Sequence, residues 1–186
     1  MINSLENAFP LHCRNDVNSI KNYLVLDDID ACRNITLNQN FLQIPYRIYN
    51  EPLTMAQLDS FTCHQQLIIN CIFTRHHNGF IRHEVVKNIM QIHPILEEDD
   101  FVIPYIFMLL GEYVVEICED LYPYIQANKS VINKFIQQNK EFCYLTYQRS
   151  VNYWNEYYRL STYKYLRDYP IRKIFDLFPF AYKRKS

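Results

Sequence analysis

The order of apolar and polar positions along the chain predicts a succession of short helices. Thr54/Gln57 and Thr62/Gln65 have the spacing of a capping box, in which a hydroxyl and an amide satisfy the free N–H groups at a helix start. From about Thr62 to Arg75 the apolar residues Leu67, Ile68, Cys71 and Ile72 share one face, which predicts a helix. Asn78-Gly79 follows. In isolation it would fit a hairpin turn, but the 3.6-residue periodicity on both sides favours a helix C-terminus with Gly79 in the left-handed region. The next predicted helix, Phe80 to about Ile92, buries Ile81, Val85, Val86, Ile89 and Met90. Phe101 to Leu110 is apolar on nearly every side, so it must be covered all round and lie centrally. Gly111 breaks that run. Tyr113 to Gln126 resumes as a helix with Val114, Ile117, Cys118 and Leu121 inward, kinked or frayed at Pro123.

Beyond residue 128 the spacing is very regular. Ile132, Phe135, Ile136, Asn139, Phe142 and Cys143 predict one helix from Val131 to Gln148, and another is expected from Val151 to Arg167, ended by Asp168-Tyr169-Pro170. Residues 1–53 are the least regular, with a short helix expected over 18–26 and an extended stretch between Pro45 and Pro52. The organisation that follows is an irregular segment at 1–53, two helical hairpins at 54–128, and a helical pair with a tail at 129–186.

Composition narrows the fold class. Hydrophobic residues make up 49% and charged residues 21%, which supports a packed core and excludes a disordered chain. Only 2 glycines occur in 186 residues, which argues against barrels, sandwiches and glycine-looped nucleotide folds and leaves an all-α protein. The net charge of −1 hides a division: residues 1–128 carry 7 Lys/Arg against 16 Asp/Glu, a balance of −9, whereas residues 129–186 carry 12 against 4, a balance of +8. The basic part also holds 9 Tyr, 5 Phe and the single Trp154. An asymmetry of this size points to a basic end that engages a partner, or to one part of the chain docking on the other. Six scattered cysteines without a CxxC pair read as reduced thiols. With no leader-like start and no apolar run long enough to cross a bilayer, the expected setting is cytoplasmic, without a membrane contact.

Two segments resemble HEAT-like repeats. NGFIRHEVV is similar to the opening of the second helix of such repeats, commonly D-G-x-V-R-x-x-A. Asn78 stands for the aspartate, Ile81-Arg82 match the Val-Arg pair, and Val85 takes the place of the alanine. PYIFMLLGEYVVEICEDL is similar to P-F-L-L-L-R-L-N-D-W-V-P-x-V-R of some bacterial HEAT-like proteins. It keeps Pro104, Val114 and Ile117, but has Glu112-Tyr113 for Asp-Trp and Cys118 for the arginine. Superposing Ile81 on Ile117 gives a spacing of 36 residues, and the resemblance covers residues 45–126. It implies an α-solenoid of about three antiparallel helical hairpins. It does not imply an activity, since such folds serve scaffolds, transport factors and a few nucleic-acid enzymes.

Candidate chemistry is sparse. Cys63, His64, Cys71, His76, His77 and His83 lack metal-ligand spacing, and His83-Glu84 is followed by Lys87 where HExxH needs its second histidine, so neither a metal nor another cofactor is expected. Arg75, His76, His77 and Arg82 surround the Asn78-Gly79 turn and form a candidate anion-binding corner, or else a solvated helix end complementing the helix dipole. The weightiest feature is the basic aromatic set Lys140, Tyr144, Tyr153, Tyr157, Arg159, Lys164, Arg167, Arg172 and Lys173, continued by Lys183 to Lys185. The expected role is non-catalytic: a scaffold presenting this surface to another protein. The alternative is a nucleic acid, with lysines and arginines neutralising phosphates and tyrosines stacking on bases.

Overall fold

The computed structural model describes residues 5–24, 32–91 and 94–178. The protein is mostly helical and divides into two compact units, Met1–Ile92 and His93–Ser186. The division falls inside the 54–128 segment that the sequence pattern groups together, so the two resembling hairpins belong to different units. No helix among the described residues is long and apolar enough to cross a membrane.

The first unit opens with two 3-10 turns, Leu5–Ala8 and Leu11–Cys13, which lead into α1 (Arg14–Ile20). The helix expected over 18–26 therefore starts earlier and ends in a further 3-10 turn, Lys21–Tyr23, while its last two positions lie outside the described residues. Next comes a β-hairpin, β1 (Cys32–Leu37) and β2 (Asn40–Pro45), an addition to the all-α expectation. Its cause is visible in period two. Ile35, Leu37, Leu42 and Ile44 turn to the core on both strands, with Ile35 opposite Leu42, while Asn34 and Phe41 face outward. The tight turn uses Asn38 and Gln39 at φ 44° and 68° with no glycine, which is why the scarcity of glycine concealed it. The 3-10 turn Leu5–Ala8 packs on β2, and α1 packs on the helix Cys63–Phe73.

Both expected capping boxes are present. Thr54 and Gln57 start α2 (Met55–Leu58), and Thr62 and Gln65 start α3 (Cys63–Phe73), each backbone N–H being met by the other residue's side chain. Asp16 of α1 secures the start of α3, accepting from Gln65 Nε2 at 2.9 Å and lying 2.9 Å from His64 Nδ1. Leu67, Ile68, Cys71 and Ile72 are buried, as their spacing predicts. Asn78-Gly79 turns out differently. Asn78, at φ −80° and ψ 122°, is the N-cap of α4 (Gly79–Met90), its Oδ1 accepting from Phe80 N at 2.9 Å, and no glycine has positive φ. The dipeptide thus begins a helix instead of ending one, because the asparagine side chain supplies the acceptor that the first turn lacks. In α4 the fully buried positions are Arg82, Val86 and Ile89, whereas Ile81, Val85 and Met90 are half-buried.

The second unit is built round α5 (Val102–Leu109), whose eight residues are all buried. Phe107 at its centre meets Phe135 at 5.5 Å, Phe142 at 6.1 Å and Phe175 at 5.6 Å between ring centroids. A fully buried aromatic of this kind contributes about 1.5–3 kcal/mol from burial alone. Gly111 ends the run where Thr146 comes close; a Cβ there would lie 3.3 Å from Thr146 Cγ2. α6 (Val115–Ala127) buries Ile117, Cys118 and Leu121 and carries Pro123 on its exposed side.

The single helix expected over 131–148 is two: α7 (Lys129–Gln138) and α8 (Lys140–Tyr153). Asn139, at φ −127° and ψ 40°, separates them; its backbone N–H and its side-chain amide both donate to Phe135 O, at 3.1 and 2.9 Å. Asn128 does the same between α6 and α7, donating to Tyr124 O at 2.9 Å. The helix expected over 151–167 is also replaced. After Tyr153 the chain widens into a π-turn, Trp154–Tyr158, then runs as a loop to the 3-10 turn Leu166–Asp168. Tyr169-Pro170 starts a helix that the sequence pattern did not predict, α9 (Pro170–Asp176), which packs back on α6.

A basic aromatic ridge as candidate site

The candidate anion corner does not face solvent. Arg75 and Arg82 are fully buried, while His76 is buried and His77 exposed. Arg75 Nη2 donates to Tyr46 O at 2.9 Å, and Arg82 Nη1 donates to His76 O at 2.7 Å and His77 O at 2.9 Å. Residues 46–50 run along this turn as a short parallel bridge, with Ile48 N to Arg75 O and His77 N to Ile48 O both at 3.0 Å. His76 completes the latch. Asn78 N–H donates to its Nδ1 at 3.0 Å, so Nε2 carries the hydrogen and donates to Asn50 O at 2.9 Å. Burial, followed by the neighbouring His77, holds its pKa below the ordinary 6.5 and favours this neutral form. The guanidiniums are turned towards main-chain oxygens just past the end of α3 and at Tyr46, so their donors serve the backbone and do not face an external anion.

The basic aromatic set is only partly assembled. Lys140 is exposed and Tyr144 half-buried near the start of α8, about 20 and 14 Å along the helix from Tyr153 at about 1.5 Å per residue. Arg172 is held in place, its Nε and Nη2 on Asp176 at 3.0 and 2.8 Å and its Nη1 on Tyr147 Oη at 2.9 Å. These bonds raise its pKa still further, the aspartate first. Lys173 is exposed on α9. Lys183 to Lys185 lie outside the described residues.

What the fold does bring together is segment 154–168. The π-turn is closed by Arg159 N donating to Trp154 O at 2.8 Å, five residues on. Trp154 Nε1 reaches across to Tyr163 O at 2.7 Å, and Tyr163 N bonds Tyr158 O at 2.9 Å, so the loop is folded back on the turn. Two hydroxyls anchor it to the α5–α6 region: Tyr158 donates to Tyr113 O and Tyr163 donates to the Glu119 carboxylate. Burial first, then Glu119, pushes Tyr163 up to about 12, and burial raises Tyr158 as well. Beneath them lies Tyr169, fully buried, its hydroxyl finding no hydrogen-bond partner among the described residues and its pKa strongly raised by burial.

Above this base stands a ridge. The Arg159 guanidinium lies 5.7 Å from the Trp154 ring centre, and Lys164 and Arg167 lie 5.7 and 4.9 Å from that of Tyr165. Leu160, between these cations in sequence, is 98% exposed, with Tyr157 at 58% and Tyr165 at 51%. Leu160 and Tyr165 were missed by sequence reasoning. The available signal was a lone leucine in the polar run Arg-Leu-Ser-Thr, where no helical partner could cover it. Several tyrosines meet other tyrosines: Tyr157 stacks on Tyr153 at 6.0 Å, and Tyr169 lies 5.6 Å from both Tyr158 and Tyr163.

Among the described residues no group of three or more His, Cys, Asp or Glu is placed to hold a metal ion. All six cysteines are free, four of them buried, Cys32 half-buried and Cys63 exposed. Burial pushes the Cys118 and Cys143 thiols far up, which keeps them protonated and unreactive. No family model, curated protein or solved structure matches the chain.

Proposed function

We propose that this protein is a non-catalytic module that binds another macromolecule, a protein before all, through the ridge at residues 154–168. The observation that carries this reading is the near-complete exposure of Leu160 among Tyr157, Arg159, Lys164, Tyr165 and Arg167. Tyrosine and arginine round an apolar centre are what protein interfaces enrich, and water gains nothing from an aliphatic side chain held out on an anchored loop. The HEAT-like resemblance belongs to the same reading. It is supported by the capped α3–α4 hairpin and by Arg82, which stands at the pattern's arginine and braces its own turn. Against a strict solenoid, α9 returns to α6 instead of following a nearest-neighbour order. The cytoplasmic setting is part of the proposal and rests on free, buried thiols.

A nucleic acid is the second reading, favoured by the three cations and the aromatic surroundings. Its weak point is that Tyr157 already stacks on Tyr153 and that the Tyr165 ring is already faced by Lys164 and Arg167. The test is titration of labelled single- and double-stranded DNA and RNA at low and moderate salt, with the wild type and the triple variant Arg159→Glu, Lys164→Glu, Arg167→Glu. Binding that weakens by orders of magnitude with salt and vanishes in the variant would assign the ridge to phosphate. The protein reading expects no such binding, together with partner capture lost in the variant. Partner capture unchanged by the triple reversal would refute the use of this surface.

A further inference from the structure

The ridge carries positive charge that its own surroundings barely offset. Residues 159–167 hold Arg159, Lys164 and Arg167 and no carboxylate, with Glu156 and Asp168 flanking them. Among the described residues these cations meet a carboxylate once, at 3.9 Å between Arg167 Nε and Asp168 Oδ1, both side chains being largely exposed. Arg159 gives one N–H to Asn155 Oδ1 at 3.0 Å, and Glu119 on α6 is taken by the Tyr163 hydroxyl. Each cation lies instead against a ring, Arg159 on Trp154, Lys164 and Arg167 on Tyr165. A ring face steadies a charged side chain without consuming its N–H donors or cancelling its charge. Two arginine forks and an ammonium thus stand at the surface with donors to spare. Leu160, next to Arg159 in sequence, exposes nearly its whole side chain, and Tyr157 meets Tyr153 and Tyr113 at 6.0 and 6.5 Å between ring centroids.

From these groups we infer that the ridge takes an acidic peptide segment of another protein, one with an aliphatic or aromatic side chain among its aspartates and glutamates. The inference rests on the ridge being a protein-binding surface and names what that surface selects. The segment's carboxylates face Arg159, Lys164 and Arg167, and the two arginines receive them in the two-pronged geometry that a planar guanidinium shares with a carboxylate. Its apolar side chain covers Leu160 and Tyr157, which removes the most exposed leucine from water. A basic segment would meet like charge, and a neutral one would strip water from the cations and return no ion pair, so the cations reject as well as select. Trp154 and Tyr165 are positioning residues that act through the cations they back. The excess of +8 over residues 129–186 works in the same sense at longer range, speeding encounter with an acidic partner and fading as salt screens it.

The experiment is selection of short randomised peptides, displayed on phage, against the immobilised full chain, with the triple variant Arg159→Glu, Lys164→Glu, Arg167→Glu as the paired bait. The wild type is expected to enrich peptides with several Asp or Glu and an aliphatic or aromatic residue among them, and the triple variant to lose them. The affinity of an enriched peptide, followed by fluorescence anisotropy, should fall at least about fivefold between about 50 and 500 mM salt, as exposed charges are screened. Leu160→Ser should weaken it about tenfold, the value of burying a leucine side chain, with the circular dichroism spectrum unchanged. Tyr165→Leu keeps every charge and should still weaken binding about threefold, as should Arg167→Lys, which keeps the charge but loses the fork. Binding indifferent to both would overturn the positioning role of the ring and the pronged recognition together. Enrichment of neutral or basic peptides, enrichment that the triple variant retains, or no enrichment would each overturn the inference. Neutral or basic peptides lost in the triple variant would leave the ridge a protein-binding surface of another preference. Peptides retained by that variant, with partner capture retained as well, would remove the ridge reading too.

Discussion

Arg82 offers a direct test of how the first unit is held together. It is fully buried in α4, and its Nη1 serves two consecutive carbonyls, His76 O at 2.7 Å and His77 O at 2.9 Å, just past the end of α3. Arg82→Met keeps most of the side-chain volume and the helix propensity but removes both bonds. Hydrogen bonds from a charged donor contribute about 1.5–3 kcal/mol each, and the saved desolvation of a buried cation offsets part of that sum. The expected net loss is about 3 kcal/mol, a large fraction of the stability of a small unit. With a urea slope of about 1–3 kcal/mol per molar, the midpoint followed by circular dichroism should fall by about 1–3 M. Arg82→Lys should lie between the two, since an ammonium lacks the rigid fork.

The same variants separate a brace from an anion site. If Arg75 and Arg82 formed an open corner, phosphate would raise the midpoint of the wild type and not that of Arg82→Met, by mass action on the folded state. The buried geometry expects phosphate to act equally on both. A midpoint for Arg82→Met within about 0.5 kcal/mol of wild type, the range of ordinary surface changes, would falsify the bracing argument.

Two further outcomes follow from the titrating groups. His76 is held neutral, with its pKa below 6.5, so the unfolded chain takes up the proton first as pH falls; its contribution is complete above about 6.5 and is lost progressively as pH drops towards the depressed value. Urea midpoints at about pH 7.5 and 5.5 should therefore differ more for wild type than for His76→Gln, and equal differences would remove His76 as the cause. Tyr169→Phe deletes a fully buried hydroxyl that has no hydrogen-bond partner among the described residues, so thermal unfolding should be unchanged or shifted upward, whereas Tyr163→Phe, which loses the bond to Glu119, should shift it downward. A marked fall for Tyr169→Phe would mean that its hydroxyl has a role the packing does not reveal.

How far the sequence could be read depended on where each signal was stored. Capping is local, and the Thr54/Gln57 and Thr62/Gln65 boxes appear where their spacing puts them. The all-apolar run Phe101 to Leu110 is equally legible, because only a central helix can hide every side. The break at Asn139 was not. Its spacing continues the stripe of Ile132, Phe135 and Ile136, and the asparagine is buried like the residues it follows; the interruption is a departure of its own backbone to φ −127° and ψ 40°, held by the side-chain amide and the N–H both bonding Phe135 O. The hairpin at 32–45 was hidden by its turn, where Asn38 and Gln39 adopt positive φ with no glycine to announce it.

The site failed to be legible for the opposite reason, since charge does not say which way a side chain points. Arg75 and Arg82 looked like an anion corner because basic residues cluster at a turn, but main-chain oxygens at the end of α3 and along residues 46–50 are stronger claimants than a solute ion. On the ridge the logic reverses. Glu119 and the carbonyl of Tyr113 take the tyrosine hydroxyls, and Trp154 takes Tyr163 O, so the hydrogen-bonding groups that could pull Arg159 and Lys164 inward are already used. What is left outward is Leu160 and three cations held only by ring faces, a bond from Arg159 to Asn155 and a loose contact of Arg167 with Asp168. An arginine satisfied by backbone is structure, whereas cations and a leucine held out on a loop fastened from beneath are available to a partner. That difference, and not the number of basic residues, selects residues 154–168 over the rest of the basic segment.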